Sequence, residues 1–452
     1  MNWIQNAIVL ILSAAAIVQA PAAGADGWKA GVAKLEITPK VPMWMGGFAS
    51  RNKPFEGVRQ PIYVRALALE DGTGSSAAIV TFDLLMIDRG MADAIADRCR
   101  ERFGLGRDRL LLNVSHTHSG PVAGRVLMTM YDLDASQSEI VRQYTENAID
   151  RAVEAVGTAI RAMKPATASF GQSLAGIAVN RRRSPIFAGV PGGPVDSDVP
   201  VLCVRNPGGK ILAVVVGYAC HASALNDYLI SNDWQGYALD EIDRAHPGVV
   251  SFFLQGCGGD CNAFPRRGEA LARDHGKVLA AAVEEVLNGK MAPVAGALRS
   301  AFDRVEIPFK HPLTREELQQ RLSDPDVHVR VFAKHMLSRL GRADRTEASY
   351  PYPILVWRFG GEFTLVALGG EVVVDYALRL KRQYGFDRTW VAGYSNEVMS
   401  YIPSRRILDE GGYESDASMI YYGRPGRYDD SVEEIIVGKV AALVERTAGT
   451  AP

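Results

Sequence analysis

Residues 110–121 have the sequence LLLNVSHTHSGP, in which a continuous apolar run turns directly into polar residues that include two histidines. An apolar run of this length, Leu110–Val114, is typical of a strand that is buried on both faces of a sheet. In open α/β sheets the loops beyond the carboxyl ends of the strands form the ligand crevice. The stretch therefore predicts a buried strand that delivers His116 and His118 to a functional site.

Five other short apolar runs, rich in β-branched residues, extend this pattern along the chain. They are Ala77–Phe82, Ile211–Val216, Val249–Leu254, Ile354–Phe359 and Phe363–Leu368. Between them, Glu139–Met163 has apolar residues at alternating steps of four and three, which predicts a helix with one face on a core. Leu271–Leu287 shows the same pattern and stops at Gly289. We therefore predict an α/β fold in which helices flank a mixed, buried sheet and the site lies at the carboxyl ends of the strands.

A charged segment, residues 311–345, interrupts the alternation of strands and helices. Its pattern is helical, which predicts an excursion of the chain between segments of the sheet. The segment contains His311, His328 and His335, but these lie among charges and lack the spacing of metal ligands. We expect these three histidines on a solvated surface.

Residues capable of chemistry follow four of the six predicted strands. Ser115–His118 follows the second strand along the chain, Cys220-His221 the third, Gly256–Asp260 the fourth and Gly369–Glu371 the sixth. Because the loops at the carboxyl ends of such strands meet at one edge of the sheet, we expect the four stretches to converge on one place.

Three of the eight histidines in the chain, His116, His118 and His221, lie at predicted strand ends, and Glu371 supplies a carboxylate in an equivalent position. Zinc hydrolases use two or three neutral imidazoles, usually with one carboxylate and an open position for water. Each residue also has a structural explanation: a histidine at a strand end can simply be hydrogen-bonded, and Glu371 can stabilise the first turn of a following helix. Taken together, the four residues favour a zinc site.

The glycine-rich stretch Gly256–Asp260 has neither the lysine of a phosphate-binding loop nor the serine of a nucleophile elbow. It predicts a tight turn that presses backbone against substrate or metal. Cys261, beside it, offers an alternative site, a cysteine nucleophile with His118 or His221 as its base. Five cysteines are too few for a disulfide scaffold, although Cys257 and Cys261 are close enough for one local bridge.

The composition excludes several classes of protein. Of 452 residues, 47% are apolar and 22% are charged, which is enough apolar material for a substantial core. Lys and Arg total 50 against 51 for Asp and Glu, without long runs of one sign. This balance argues against nucleic acid or a membrane surface as partner and favours a small-molecule or lipid substrate.

The first 25 residues have the features of a signal peptide. Ala7–Val18 is a short apolar run, and Ala23-Gly24-Ala25 has the small-x-small form that signal peptidase accepts. No later segment is apolar and long enough to cross a bilayer. We therefore expect export to the periplasm or the medium, with a mature chain, 26–452, that has no integral membrane segment.

The motif Asn113–Pro121 resembles that of the neutral ceramidases, the neutral/alkaline, non-lysosomal zinc amidases that cleave the N-acyl bond of ceramide. Further resemblances follow in the family's order between residues 30 and 425, which spans most of the chain. They are Ile37-Thr38-Pro39, Met45-Gly46-Gly47, Asn180-Arg181, Gly217–His221, Phe253–Asp260, Ser400–Ser404 and Tyr413-Glu414.

The resemblance implies a set of site residues. The implied zinc ligands are His116, His221, Glu371 and Tyr401. His118 is then implied to support the ligands from outside the metal's own set or to transfer a proton, whereas the histidine spacing by itself leaves it among the candidate ligands. Arg181 and Tyr413 are implied to contact the scissile amide and its developing oxyanion.

Two departures from the family pattern affect the expected function. The position of the family's proposed catalytic serine is Asn262 here, and asparagine can donate a hydrogen bond to an oxyanion but cannot be acylated. The chain also stops some forty residues after Tyr413, so we expect a catalytic domain without the carboxyl-terminal immunoglobulin-like domain of full-length members.

Three functions remain open on the sequence. The first is a zinc-dependent, ceramidase-like amidase acting on ceramide or another N-acylated molecule. The second is a zinc hydrolase of the same fold acting on a polar amide, ester or carbohydrate-derived substrate, which the row Arg181–Arg183 favours unless it is a solvated surface run. The third is a non-catalytic relative that binds a metal or ligand, which the loss of the serine at Asn262 favours.

Overall fold

The computed structural model describes residues 27–131, 133–182 and 192–448. The predicted signal peptide and Arg183 lie outside these ranges, so export stays a prediction. Within them, no helix combines the length and the apolar character needed to cross a bilayer.

The described residues form nineteen strands and nine α-helices. The strands are β1 (Trp28–Glu36), β2 (Gly57–Val58), β3 (Tyr63–Glu70), β4 (Ser76–Phe82), β5 (Leu110–Val114), β6 (Lys164–Leu174), β7 (Ala178–Asn180), β8 (Asp198–Arg205), β9 (Ile211–Tyr218), β10 (Leu229–Ile230), β11 (Val250–Gln255), β12 (Cys261–Ala263), β13 (Ala292–Val294), β14 (Leu298–Pro308), β15 (Ser349–Phe359), β16 (Phe363–Leu368), β17 (Glu371–Val372), β18 (Thr389–Ala392) and β19 (Tyr401–Ile402). The helices are α1 (Arg89–Phe103), α2 (Ala135–Arg161), α3 (Asp233–Ala245), α4 (Glu269–Asn288), α5 (Arg315–Gln320), α6 (Val327–Leu340), α7 (Val374–Tyr384), α8 (Arg405–Glu410) and α9 (Val432–Ala448).

The predicted α/β class and mixed sheet are confirmed, but the strands divide between two main sheets. The larger has the order β11-β9-β8-β6-β1-β3-β4-β5, with β13 attached to β6, and the smaller has the order β14-β15-β16-β18. The larger sheet is mixed, since β4 pairs with β5 and β9 with β11 in parallel while its other pairs are antiparallel. The runs at 354–359 and 363–368 belong to the smaller sheet, because an apolar run records burial and not the partner strand.

The two sheets stack, and the alternation of side chains along each strand supplies a different core on either face. Ile79 of β4 meets Trp357 of β15 in the core between the sheets. Its neighbour Val80 points the other way, into a core shared with α1 and α2, and Val356 faces the core shared with α7 and α9. Helices α3 and α4 cover another part of the larger sheet. The helices therefore lie on the outer faces of a two-sheet stack.

The predicted element boundaries agree closely with the observed ones. The runs at 110–114 and 363–368 match β5 and β16 residue for residue, and the two predicted helices correspond to α2 and α4. Asp134 begins α2 by accepting a hydrogen bond from the Gln137 N–H. Gly289 follows α4 with φ −87° and ψ −168°, so the helix ends without the left-handed glycine conformation.

The excursion at 311–345 is helical, as predicted, and contains α5 and α6. A capping box between Thr314 and Glu317 begins α5. His311 is exposed and pairs with Glu317 at 2.8 Å, while His328 and His335 are half-buried. None of the three belongs to the histidine cluster described below.

Asn113 links β5 and β11, the two edge strands of the larger sheet, to each other and to the segment that follows β18. Its side-chain Nδ2 donates to the Gly393 carbonyl at 2.8 Å, and its Oδ1 accepts from the backbone N–H of Gln255 in β11 at 2.8 Å. Ala392 pairs with Gly256, and Ser395 pairs with Asn113 itself. The ends of β5, β11 and β18 therefore meet around one fully buried amide.

We predict that Asn113→Ala destabilises the protein by about 2 kcal/mol, because it leaves the buried N–H of Gln255 without its acceptor and removes a buried hydrogen bond to the Gly393 carbonyl. The measurement is the urea midpoint followed by circular dichroism. Asn288→Ala, an exposed amide at the end of α4, is the matched control and should leave the midpoint nearly unchanged. Equal effects of the two substitutions would contradict the role given to Asn113.

Candidate metal centre

His116 leaves the end of β5 in an unusual backbone conformation. Its φ is +59°, which few residues other than glycine adopt, and its side chain is buried. Nδ1 lies 2.9 Å from the carbonyl oxygen of Leu85. A carbonyl can only accept, so Nδ1 carries the proton and Nε2 presents a lone pair to the interior of the site.

His221 is oriented in the same way by the glycine-rich loop that follows β11. Its Nδ1 donates to the Gly258 carbonyl at 2.7 Å, which again leaves Nε2 as an acceptor. A Cβ added at Gly259 would lie 2.6 Å from the carbonyl oxygen of Glu371, so this turn requires glycine. The loop is the tight turn that the sequence predicts, but its backbone packs against the backbone of Glu371 and Val372.

Glu371 and Tyr401 stand side by side because β17 and β19 form a parallel pair in which these two residues are partners. Glu371 Oε2 lies 3.2 Å from His116 Nε2 and 3.1 Å from His221 Nε2, while Oε1 accepts from the Tyr422 hydroxyl. The Tyr401 hydroxyl lies 3.2 Å from His221 Nε2. Two imidazoles, a carboxylate and a phenol thus converge in the structure.

His118 lies at the edge of this group. Its Nε2 is 3.3 Å from His116 Nε2, and its Nδ1 is buried without a hydrogen-bond partner in the described part of the chain. Gly47 lies against the ring, where a Cβ would be 2.5 Å from Nδ1. His116, His118 and His221 form a group that could hold a metal ion, with candidate ligand atoms within 4.8 Å of one another.

The donor set fits a metal cation. The lone pairs on His116 Nε2 and His221 Nε2 face a carboxylate oxygen, an arrangement that is repulsive unless a positive charge lies between the atoms. Four ligands about 2 Å from a tetrahedral metal lie about 3.3 Å from one another. The separations among His116, His221, Glu371 and Tyr401 given above, 3.1 to 3.2 Å, are close to that spacing.

The environment of His118 and His221 favours the neutral imidazole, which is the metal-binding form. Burial, with Arg181 nearby, lowers the pKa of His221 to about 4. Burial and the neighbouring histidines likewise lower the pKa of His118 well below its ordinary value.

The sequence profile described as "Neutral/alkaline non-lysosomal ceramidase, N-terminal" matches residues 28–262, slightly more than half of the chain. This chain belongs to that family. The matched region carries the three histidines and ends at Asn262, so it does not include Glu371 or Tyr401.

Individual ceramidases are distant relatives of this family member. Neutral ceramidase A of Dictyostelium discoideum is 26% identical over 54% of this chain and 35% of its own length. The neutral ceramidase of Drosophila melanogaster is 28% identical over 24% of this chain and 15% of its own length. The chain thus matches about a third or less of these relatives. The crystal structure of neutral ceramidase from Pseudomonas aeruginosa has the same fold, with a TM-score of 0.71 and 22% identity, covering 94% of this chain and 76% of that one.

In this ceramidase-family chain, Arg181 and Arg182 are held by one carboxylate. Glu414 accepts from Arg181 Nε at 2.7 Å and from Arg182 Nη1. Arg181 also donates to the Tyr401 hydroxyl at 3.1 Å, which couples the ion pair to the metal centre. Two of the three arginines in the row Arg181–Arg183, which favours a polar substrate on the sequence, are therefore occupied by an internal ion pair.

Asn262 and Tyr413 lie on a cleft of about 640 Å³ beside the centre, together with Arg181. Asn262 is paired with His221 by a β-bridge and accepts from Ser223 Oγ at 3.4 Å. The Tyr413 side chain is 42% exposed, and its ring packs edge-on against Tyr401. The structure thus brings both residues next to the histidine cluster.

Cys261 does not have the surroundings of a nucleophile. It is fully buried, and burial together with Asp260 raises the pKa of its thiol well above the ordinary value. Asp260 is occupied by the Asn180 amide at 2.7 Å and the Val374 N–H at 2.9 Å. The cysteine-nucleophile alternative is thus disfavoured. The local bridge does not form either, since Cys257 and Cys261 are both free thiols.

Sequence reasoning missed the two tyrosines that hold Glu371. Tyr422 donates to Oε1, and the Tyr394 hydroxyl lies 3.4 Å from Oε2. Tyr394 has φ +50° in the segment after β18, and Tyr422 lies in a short 3₁₀ turn. Neither position carries a periodic pattern, so only a spatial neighbour could have revealed them.

We predict that Glu414→Gln destabilises the protein at neutral pH by about 3 kcal/mol, because two partly buried arginines lose their carboxylate. Burial raises the pKa of Glu414, but Arg181 and Arg182 outweigh it and the net pKa lies below the ordinary 4.5. The stability from this pair is complete above that value and is lost as the pH falls through the lower folded pKa.

The measurement is the urea midpoint of wild type and Glu414→Gln between pH 7 and pH 3, where the two should converge on acidification. Glu139→Gln, which removes an exposed pair with Arg142 on α2, serves as the control and should change little. A difference between wild type and Glu414→Gln that is independent of pH would rule out the ionised pair as its source.

Proposed function

We propose that this chain is a zinc-dependent hydrolase that cleaves an N-acyl amide bond, in ceramide or in another N-acylated molecule. The observation that carries the proposal is the buried convergence of two oriented imidazole acceptors on one carboxylate oxygen, with a phenol beside them. Membership of the neutral/alkaline ceramidase family supports the amide as substrate. Because this chain is only distantly related in sequence to the named ceramidases, the identity of its N-acylated substrate has to be tested.

His116, His221, Glu371 and Tyr401 would hold the zinc. The set consists of nitrogen and oxygen donors, which zinc accepts, and both imidazoles are fixed by hydrogen bonds from Nδ1 to backbone carbonyls. A bound zinc ion would polarise a carbonyl oxygen and bring the pKa of water down to about 7. Because Arg181 donates to the Tyr401 hydroxyl, it stabilises negative charge on that oxygen.

His118 is the proposed proton-transfer group. Its neutral imidazole lies beside the centre, and Nδ1 has no partner in the described residues. An imidazole that is neutral at rest can accept a proton from water and return it to the leaving nitrogen. Phe48, with its ring centroid 4.8 Å from that of His118, and Gly47 fix the ring in place.

Asn262 and Tyr413 are the proposed donors to the oxyanion that forms on the amide carbonyl. Both line the cleft, and an amide N–H or a phenolic O–H stabilises developing negative charge there. Because Asn262 cannot be acylated, the acyl group would pass directly to water. Burial raises the pKa of Tyr413 well above its ordinary value, so its hydroxyl stays protonated and can donate a hydrogen bond to the oxyanion.

We predict that His116→Ala and His221→Ala each lose bound zinc, because each removes one nitrogen ligand. His118→Ala should keep its zinc while turnover falls about a hundredfold or more, the usual loss for a general acid–base group. Zinc is measured by plasma mass spectrometry on protein purified without added chelator. His311→Ala, on the exposed excursion, is the control and should match wild type. Zinc retained by the first two variants would remove the ligand assignment.

We further expect the purified protein to release fatty acid from radiolabelled ceramide, and a chelator to abolish this activity until zinc is restored. The released acid is measured with and without 1,10-phenanthroline. Bound zinc without ceramide cleavage would shift the substrate to a different N-acyl molecule. A protein that binds no zinc and cleaves no N-acyl amide would overturn the proposal.

A further inference from the structure

The cleft beside the candidate metal centre contains a half-buried arginine without a carboxylate partner. Arg266 lines this cleft together with Asn262 and Tyr413. In the described residues its guanidinium forms no ion pair, and its one protein hydrogen bond is a long contact of 3.4 Å from Nη1 to Ser223 Oγ. A guanidinium has five N–H donors, so most of the hydrogen-bonding capacity of Arg266 is available to a molecule in the cleft.

The charges around Arg266 are mainly of its own sign. Arg267 is the next residue, and Arg181 lies on the same cleft. Burial, reinforced by Arg267 and Arg181, lowers the pKa of Arg266. Arg267 forms no ion pair within the described ranges and lies over the ring of Phe48, 5.1 Å from its centroid. Two adjacent cations therefore lack neutralising partners.

The carboxylates of the cleft are already engaged. Glu414 is divided between Arg181 and Arg182, and Glu410 pairs with Arg182 at 3.3 Å. The positive charge of Arg266 and Arg267 is thus available to a ligand.

We propose that Arg266, assisted by Arg267, binds an oxyanion on the polar half of the substrate, so that the centre prefers N-acyl amides that carry a carboxylate or a phosphate over uncharged ones. This inference rests on the proposed hydrolase function and specifies its substrate class. Arginine binds such groups through paired N–H donors, with charge-assisted hydrogen bonds stronger than neutral ones.

The position of Arg266 fits this role. Ser223 bonds both to Arg266 and to Asn262, and Asn262 is the β-bridge partner of His221. An anion on Arg266 therefore lies on the same side of the cleft as the proposed oxyanion donor and only a short chain of contacts from the metal centre.

An uncharged, hydroxyl-bearing head group would fit this wall poorly. Binding it would remove water from the half-buried guanidinium without supplying a counter-charge, which costs free energy. A substrate carboxylate or phosphate supplies that charge, and the same burial strengthens its hydrogen bonds to the guanidinium. Electrostatic complementarity of this kind acts mainly on selectivity.

The test compares three amides with the same acyl chain: N-lauroylglycine, N-lauroyl-O-phosphoethanolamine and the neutral N-lauroylethanolamine. We expect the zinc-loaded protein to prefer one or both anionic amides in kcat/KM. Arg266→Gln should lower that preference about tenfold or more, the cost of losing a hydrogen bond between charged groups. The loss should fall on KM and not on kcat, because the contact is equal in the ground and transition states.

Arg266→Lys should recover part of the preference, since it restores charge without the fork of donors. Arg244→Gln, a 76% exposed arginine side chain on α3, is the control and should match wild type. The comparison of N-lauroylglycine with N-lauroyl-O-phosphoethanolamine shows whether the preferred anion is a carboxylate or a phosphate. A preference for N-lauroylethanolamine, or an anionic preference that survives Arg266→Gln, would overturn the proposal.

A binding measurement separates this inference from the hydrolase proposal. Isothermal titration of the three amides into zinc-loaded protein reports the anionic preference even if no amide is cleaved. Tighter binding of an anionic amide that Arg266→Gln removes, without turnover, would sustain the anion site and reject hydrolysis. Equal binding of all three amides would reject the anion site, whatever the turnover.

Discussion

The centre of this protein is organised by one buried carboxylate that faces the unprotonated nitrogens of two imidazoles. Glu371 Oε2 lies within 3.2 Å of His116 Nε2 and His221 Nε2, and each imidazole is committed to that orientation by a backbone carbonyl on its other nitrogen. A cation bound between these atoms would stabilise such a set. Several costly features serve to hold it: the left-handed backbone of His116, the glycine turn at Gly259 and the junction at Asn113.

The sequence predicts the strands and the residues at their ends well, because both depend on local signals. Continuous apolar runs identify β5 and β16 to the residue, and His116, His221 and Glu371 follow such runs directly. Tyr401 and Tyr413 came only from the family resemblance, since nothing in their local sequence marks a site. The division of the strands between two sheets depends on pairing partners far apart in sequence, which an apolar run does not encode.

The arginines show how the same residue type can have opposite meanings. The row Arg181–Arg183 is the conspicuous basic feature of the sequence, yet Arg181 and Arg182 are neutralised by Glu414, which is far away in the chain. Arg266 and Arg267 attract little attention in the sequence and lack such a partner in the described ranges. What distinguishes the two pairs is the position of a carboxylate, and that is a property of the fold.

His118 is the residue whose role the geometry constrains most usefully. Its Nε2 is 3.3 Å from His116 Nε2, which is also a ligand-to-ligand spacing, so distance alone admits it as a third imidazole ligand. Its other nitrogen differs from those of His116 and His221, because no carbonyl accepts from Nδ1 in the described residues. Metal-bound histidines almost always have that second hydrogen bond, since it fixes the tautomer. Because no such bond fixes the tautomer of His118, we propose this residue for proton transfer and propose His116 and His221, whose tautomers are fixed, as the imidazole ligands of the metal.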